Sequence, residues 1–214
     1  MKDKTAKTFD GSACSVWQVI EHANTYFEFS KLFTDKLPAS IHDLDVAAHR
    51  VDLAAASATN RILALELYLK ALLIARRLPV PKEHDLVKLA AALPDDIRKV
   101  VKTQYDERNK ASVVVGRPAA LELIFSSGPN LNEKEQGILK KRGVRDDPSL
   151  SGLLVRNKDG FISSRYLFQI PRPNEITFFT YEHHRLALLC SVLCEGLESS
   201  LPNRPSSYQR HFRF

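Results

Sequence analysis

The sequence predicts an all-α fold on three observations. Apolar residues recur at helical spacing over long segments, and between Ile62 and Ala75 only Glu66 and Lys70 interrupt them. A helix that is apolar on nearly every side belongs in the middle of a bundle. Strand signals are scarce, with one strong β-branched run at 112–115. Glycines concentrate in the middle of the chain, which also contains three prolines, and this composition predicts an irregular insertion in an otherwise helical domain.

Proline-containing breaks and apolar periodicity define the elements in order. Helices are predicted over 13–35, 46–77, 86–93 and 95–109. The first three end at Leu37-Pro38, Leu78–Pro81 and Pro94, respectively. The insertion spans about 110–160, with short helical pieces expected near 118–125 and 132–141, and residues 149–169 are expected to be partly helical. The last helix is predicted over about 174–199. Together these elements form one domain over 1–201, and we expect residues 202–214 to be a mobile basic tail.

Composition limits the function classes. The chain has 214 residues, and 31 Lys and Arg against 25 Asp and Glu give a net charge of +6. This surplus permits attraction to phosphate but is small for a dedicated DNA-binding domain. The basic stretches 98–117 and 134–145 are therefore either solvated surface or a phosphate footprint. Three cysteines, no apolar leader and no long apolar stretch predict a cytoplasmic protein without a membrane span.

No motif for a cofactor or metal is recognised. A phosphate-binding glycine loop, a dinucleotide fingerprint and a zinc-protease motif are all missing from the sequence. Cys190 and Cys194 share a helix face but lack a second ligand pair at usable spacing, so we interpret them as core residues. The sequence therefore predicts neither a cofactor nor a metal.

Two pairs of polar residues are candidates for a site. Glu66 and Lys70 stand four residues apart on the most apolar helix, where they either pair with each other or form the polar floor of a pocket. His84 and Asp85 stand at a helix start, where either side chain can cap the free N–H groups. A catalytic His84 would instead need an orienting carboxylate and a cleft.

An ordered set of motifs resembles a known family. The helix Leu63–Leu73 contains E-x-x-x-K-A-L-L, the next helix starts with His84-Asp85-Leu86, and a later segment contains the pair Arg165-Tyr166. This set is similar to the HEPN superfamily, over roughly residues 45–198. The resemblance implies a small up-and-down helical bundle. Arg165 would either bond internally, to Glu66 or to a carbonyl, or offer its planar set of donors to a ligand.

The family's RNases contain R-x(4–6)-H, often with a polar residue after the arginine. Arg108-Asn109 resembles the start of this motif, but the histidine positions 113–115 are all valine. The resemblance therefore implies a non-catalytic module that binds RNA or a nucleotide, in a toxin–antitoxin or defence setting. An RNase that uses another histidine and a purely structural interaction protein are the alternatives. The implied partners are a second copy and a nucleotidyltransferase-like protein.

Overall fold

The computed structural model describes residues 8–9, 11, 15–34, 44–113, 121–126, 133, 147–158 and 176–201. Its helices are α1 (Val16–Thr34), α2 (Leu44–Ala75), α3 (Leu86–Ala91), α4 (Asp95–Val113), α5 (Leu150–Arg156) and α6 (His183–Ser200). Its strands are β1 (Thr8–Phe9), β2 (Val80–Pro81), β3 (Leu121–Ser126) and β4 (Ile176–Tyr181). Helices supply most of the regular structure in these residues, and the all-α prediction is confirmed.

The long helix α2 lies at the centre of the bundle and packs against α1, α3 and α6. Its apolar side chains are buried on several faces, as the sequence pattern predicts, and Leu65, Tyr68 and Leu73 are fully inaccessible to solvent. Small residues, including Ala54 and Ala58, are buried along its first half. None of the helices in the described part of the chain combines the length and apolarity needed to cross a bilayer.

A left-handed residue ends α2. Arg77 has φ 55°, and the N–H of Leu78 donates to the carbonyl of Leu73 at 2.9 Å. The N–H of Arg77 donates to the carbonyl of Ile74, also at 2.9 Å. These two bonds form the Schellman arrangement, which closes a helix at a position where glycine is the usual residue. The chain then turns through Pro79 and Pro81 toward α3.

The starts of α3 and α4 agree with their sequence signals. The Asp85 carboxylate accepts hydrogen bonds from the backbone N–H groups of Val87 (2.9 Å) and Lys88 (3.2 Å). Asp85 is therefore the N-cap of α3. Helix α4 starts just after Pro94 and has Asp95 and Asp96 in its first turn, where negative charge is favourable.

Two predictions in the second half of the chain are wrong. Residues 121–126, most of which belong to the helical piece expected near 118–125, form β3, and residues 176–181, expected to belong to the last helix, form β4. The two strands pair antiparallel over six residues, with Leu121 opposite Tyr181. The sequence of β4, ITFFTY, is rich in β-branched and aromatic residues, which favour strands. Helix α6 therefore begins only at His183.

Of the segment 149–169, the described part contains the short helix α5. Ser149 caps it by accepting the N–H of Gly152 at 3.1 Å. A Cβ atom on Gly152 would lie 2.5 Å from the carbonyl oxygen of Asp147, so this close approach requires glycine. The expected helix over 132–141, apart from Glu133, and the tail 202–214 lie outside the described residues. The domain boundaries stay predictions.

Candidate functional site

The buried carboxylate of Glu66 contacts two other candidate residues, Lys70 on α2 and His84 just before α3. Glu66 Oε1 accepts a hydrogen bond from Lys70 Nζ at 2.6 Å, and Glu66 Oε2 lies 2.9 Å from His84 Nδ1. The Glu66 side chain is 5% exposed and that of Lys70 13%, whereas that of His84 is 57% exposed. A buried carboxylate requires such partners, because desolvation without them is costly. The structure therefore brings Glu66, Lys70 and His84 together as one polar cluster at the edge of α2.

The connection that follows α2 along the chain has three exposed basic side chains. Arg76, Arg77 and Lys82 all lie in the connection between α2 and α3, and we call them the basic turn. None of the three has an ion-pair partner among the residues that the structure describes. Lys82 is two residues from His84 along the chain. The basic turn and the cluster therefore belong to one region of the chain, at the end of α2 and the approach to α3.

The two candidates on α4, Arg108 and Asn109, contact other parts of the fold. Arg108 makes a two-pronged ion pair with Glu195 of α6, at 2.9 and 2.5 Å. Hydrogen bonding from Arg108 holds the pKa of the Glu195 carboxyl below its ordinary value. Asn109 is buried, and its Nδ2 donates to the carbonyl of Pro148 at 2.9 Å. Both residues therefore link α4 to neighbouring elements in the described structure.

Two further candidates, Arg165 and Tyr166, lie outside the described residues. Of the three valines at the expected histidine positions, 113 is the last residue of α4, and 114 and 115 lie outside the described residues. Among the residues described, no group of three or more His, Cys, Asp and Glu side chains is arranged to hold a metal ion.

A second buried charge cluster was not predicted from the sequence. The Glu182 carboxylate, 3% exposed, accepts hydrogen bonds from Arg156 at 2.8 and 2.9 Å, from Arg185 at 3.0 Å and from Asn157 at 3.2 Å. Burial raises the pKa of the nearby Tyr105 hydroxyl above its ordinary value, against the opposing charge of Arg185. The cluster joins α5 to the start of α6. Its one local signal is the i, i+3 spacing of Glu182 and Arg185.

Arg61 occupies the interior between α1, α2 and the start of α6. Its side chain donates to Ser30 Oγ at 3.1 Å and to the carbonyl of His183 at 2.5 Å. The guanidinium carbon lies 5.8 Å from the ring centres of both Phe27 and Tyr181. These contacts engage two of its donors and place its charge near aromatic rings, which lowers the cost of burying the arginine. The side chain therefore joins these three elements.

Acid should destabilise the protein through His183. Burial, with added repulsion from His184 and Arg61, lowers the pKa of His183 to about 4. The unfolded chain has an ordinary histidine pKa near 6.5. Below about pH 6.5 the unfolded state binds a proton on this histidine, whereas the folded state does not. The stability that comes from a neutral, buried His183 is therefore fully present above about pH 6.5 and is lost between about pH 6.5 and 4. His183→Gln should flatten the fall of Tm across this window.

The matched control is His22→Gln, because His22 lies on the exposed side of α1. This variant should keep the wild-type dependence of Tm on pH. If His183→Gln and wild type lose the same Tm between pH 6.5 and 4, another group causes the acid instability.

Comparison with known proteins supports the resemblance seen in the sequence. Residues 39–115 match the family model described as the HEPN domain. No curated protein and no solved structure matches the chain. The matched segment contains α2, α3 and α4, and therefore Glu66, Lys70, His84, Arg108 and Asn109. Residues 39–115 are therefore similar to the HEPN domain, and this similarity covers α2, α3 and α4.

Proposed function

We propose that this protein is a HEPN-domain module that binds RNA through backbone phosphates and does not cut it efficiently. The observation that carries the proposal is the basic turn. Arg76, Arg77 and Lys82 are exposed within seven residues, and none has an ion-pair partner in the described part of the chain. When exposed cations of this kind neutralise backbone phosphates, the counterions condensed on the RNA are released, and this release favours binding.

The backbone of Arg77 supports a role for its charge. A non-glycine residue in the left-handed region costs on the order of 1–2 kcal/mol relative to an ordinary conformation. Glycine would avoid most of this cost at the end of α2, yet the chain has an arginine with φ 55°. A cation kept at a strained position is consistent with a function that needs the cation.

The basic residues of α4 are a weaker candidate for the same role. Arg98 pairs with Asp95, Lys102 pairs with Asp106, and Arg108 pairs with Glu195. A cation already held by a carboxylate gains less from a phosphate, because the existing pair must first break. Lys99 and Lys110 of α4 are exposed without an ion-pair partner among the described residues, but they stand eleven positions apart, whereas the basic turn has three such cations within seven residues.

The composition of the basic turn favours recognition of backbone over bases. Residues 76–88 contain no Phe, Tyr or Trp on which a base could stack. Phosphate contacts position RNA but do not read its sequence. We therefore expect weak binding with little sequence preference, which falls steeply as salt concentration rises.

The proposal is tested by fluorescence anisotropy with labelled single-stranded RNA at several salt concentrations. The double variant Arg76→Gln with Lys82→Gln should lower affinity by roughly tenfold and reduce the salt slope by about 2, one for each lost phosphate contact. The control, Lys99→Gln with Lys110→Gln, removes the same charge from exposed positions on α4. Equal losses in the two variants would show that net charge alone attracts RNA and that the basic turn is not the site.

A second variant separates binding from stability. Arg77→Gly should raise the free energy of unfolding, by up to about 1 kcal/mol, because glycine adopts the left-handed conformation without strain. The same variant should weaken RNA binding by about threefold to tenfold, because it removes one phosphate contact. Chemical denaturation and anisotropy on one preparation measure both. Unchanged RNA affinity in a stabilised variant would exclude Arg77 from the site.

One observation favours an RNase as the second candidate function. Glu66 Oε2 lies 2.9 Å from His84 Nδ1, and the ring of His84 is more than half exposed. A carboxylate behind an exposed imidazole fixes the tautomer and the orientation of the ring, as general bases require. Arg108 contacts Glu195 instead of this pair, so an arginine for the charged transition state would have to come from the basic turn.

The partner predictions rest on the family resemblance. We propose that the protein forms a homodimer and that it meets a nucleotidyltransferase-like protein. Sedimentation velocity on the intact chain tests the homodimer, and co-expression with the product of a neighbouring gene tests the second partner.

A further inference from the structure

An open groove of about 460 Å³ lies between α3, α4 and α5, and none of the residues proposed to bind RNA lines it. Its walls are mostly aliphatic, with Val87 and Ala90 from α3, Val101 from α4 and Leu154 from α5. Leu69, on α2, also lines it. A concave, largely apolar surface of this size is typical of a small-molecule site.

The charge along one wall of the groove is positive. Arg98, Lys99 and Lys102 of α4 line it together with a single acid, Asp95. Asp95 pairs with Arg98, and Lys102 pairs with Asp106 at 2.5 Å, whereas exposed Lys99 has no ion-pair partner among the described residues. An apolar groove with surplus positive charge on one wall is complementary to a molecule that has an apolar chain and an anionic head.

The helices that form the groove walls are short, which favours a short ligand. Helix α3 has six residues and α5 has seven, so the two walls are roughly 9 and 10.5 Å long at 1.5 Å per residue. An extended chain advances roughly 1.2 Å per bond, since three backbone bonds span about 3.3–3.6 Å. The groove therefore accommodates about eight to ten carbons, and it is short for a docked partner helix of several turns.

We infer that this groove binds a medium-chain anionic amphiphile with a carboxylate head. The apolar chain lies against Leu69, Val87 and Leu154, and Lys99 meets the carboxylate at the α4 wall. Burial of the chain supplies most of the affinity, because it removes apolar surface from water. Lys99 contributes selectivity for a negative head.

Isothermal titration calorimetry of the intact protein tests the inference with decanoate, kept below its micelle-forming concentration. Decanoate should give saturable binding with one site, and decyltrimethylammonium should bind at least about fivefold more weakly, because its head meets like charge. Absence of saturable heat with decanoate, or equal affinity for the two amphiphiles, would overturn the proposal.

Two pairs of variants locate the site. Lys99→Glu should weaken decanoate binding by about fivefold or more, whereas Lys110→Glu, exposed on the same helix outside the groove, should change it less than about twofold. Ala91→Trp fills the groove and should abolish binding, whereas Val100→Trp, 55% exposed and outside the groove lining, should not. Matching effects within either pair, in variants that keep the wild-type Tm, would contradict binding in this groove.

Discussion

Replacing Glu182 by glutamine should lower the free energy of unfolding by about 3–5 kcal/mol, the usual cost of removing one partner from a buried ion pair. The Glu182 carboxylate is 3% exposed and holds two arginines. The neutral amide leaves Arg185, whose side chain is 7% exposed, as a buried charge without this counterion. The same change loosens the attachment of α5 to α6, because Arg156 belongs to α5. Urea denaturation at neutral pH measures the difference.

The matched control is Glu195→Gln, which also removes a carboxylate that binds an arginine through two bonds. The side chains of Glu195 and Arg108 are 57% and 42% exposed. An exposed ion pair contributes at most about 1 kcal/mol, because water and salt screen it. Equal losses of stability in the two glutamine variants would show that the buried ion pairs of Glu182 stabilise the fold no more than the exposed pair of Glu195.

Leu69→Ala should lower the free energy of unfolding by about 2–5 kcal/mol, the range for a buried leucine whose removal leaves a cavity. Leu69 is 3% exposed on the central helix α2. The control is Leu32→Ala on α1, because Leu32 is 49% exposed and its truncation leaves no cavity. An unchanged denaturation midpoint for Leu69→Ala would show that this part of α2 is not a core element.

Local sequence signals predict the helices well where packing agrees with them. The expected helix 46–77 is observed as Leu44–Ala75, because its apolar residues and the following prolines indicate the same element. The pair β3 and β4 could not be predicted from local spacing, since its strands lie about 50 residues apart along the chain. The aromatic residues of β4 fit a helical spacing as well as a strand, and only pairing with β3 selects the strand.

The site was predictable in part. The i, i+4 spacing of Glu66 and Lys70 predicts their contact, which the structure contains. The contact of His84 with Glu66 depends on how the proline-rich connection folds back, which spacing cannot specify. The left-handed conformation of Arg77 has no sequence signal, because the residue there is not glycine. The Glu182 cluster likewise depends on the long-range approach of α5 to α6.

The claim that this protein binds RNA without cutting it is tested most directly by one assay. Structured and single-stranded RNA are incubated in EDTA with enough protein to saturate binding, and each sample is analysed on native and denaturing gels. We expect retarded RNA on the native gel and intact RNA on the denaturing gel, because the valines at 113–115 offer no group to move a proton. RNA cleavage by the wild type, lost in His84→Gln or in Arg108→Ala, would contradict the account and establish a nuclease.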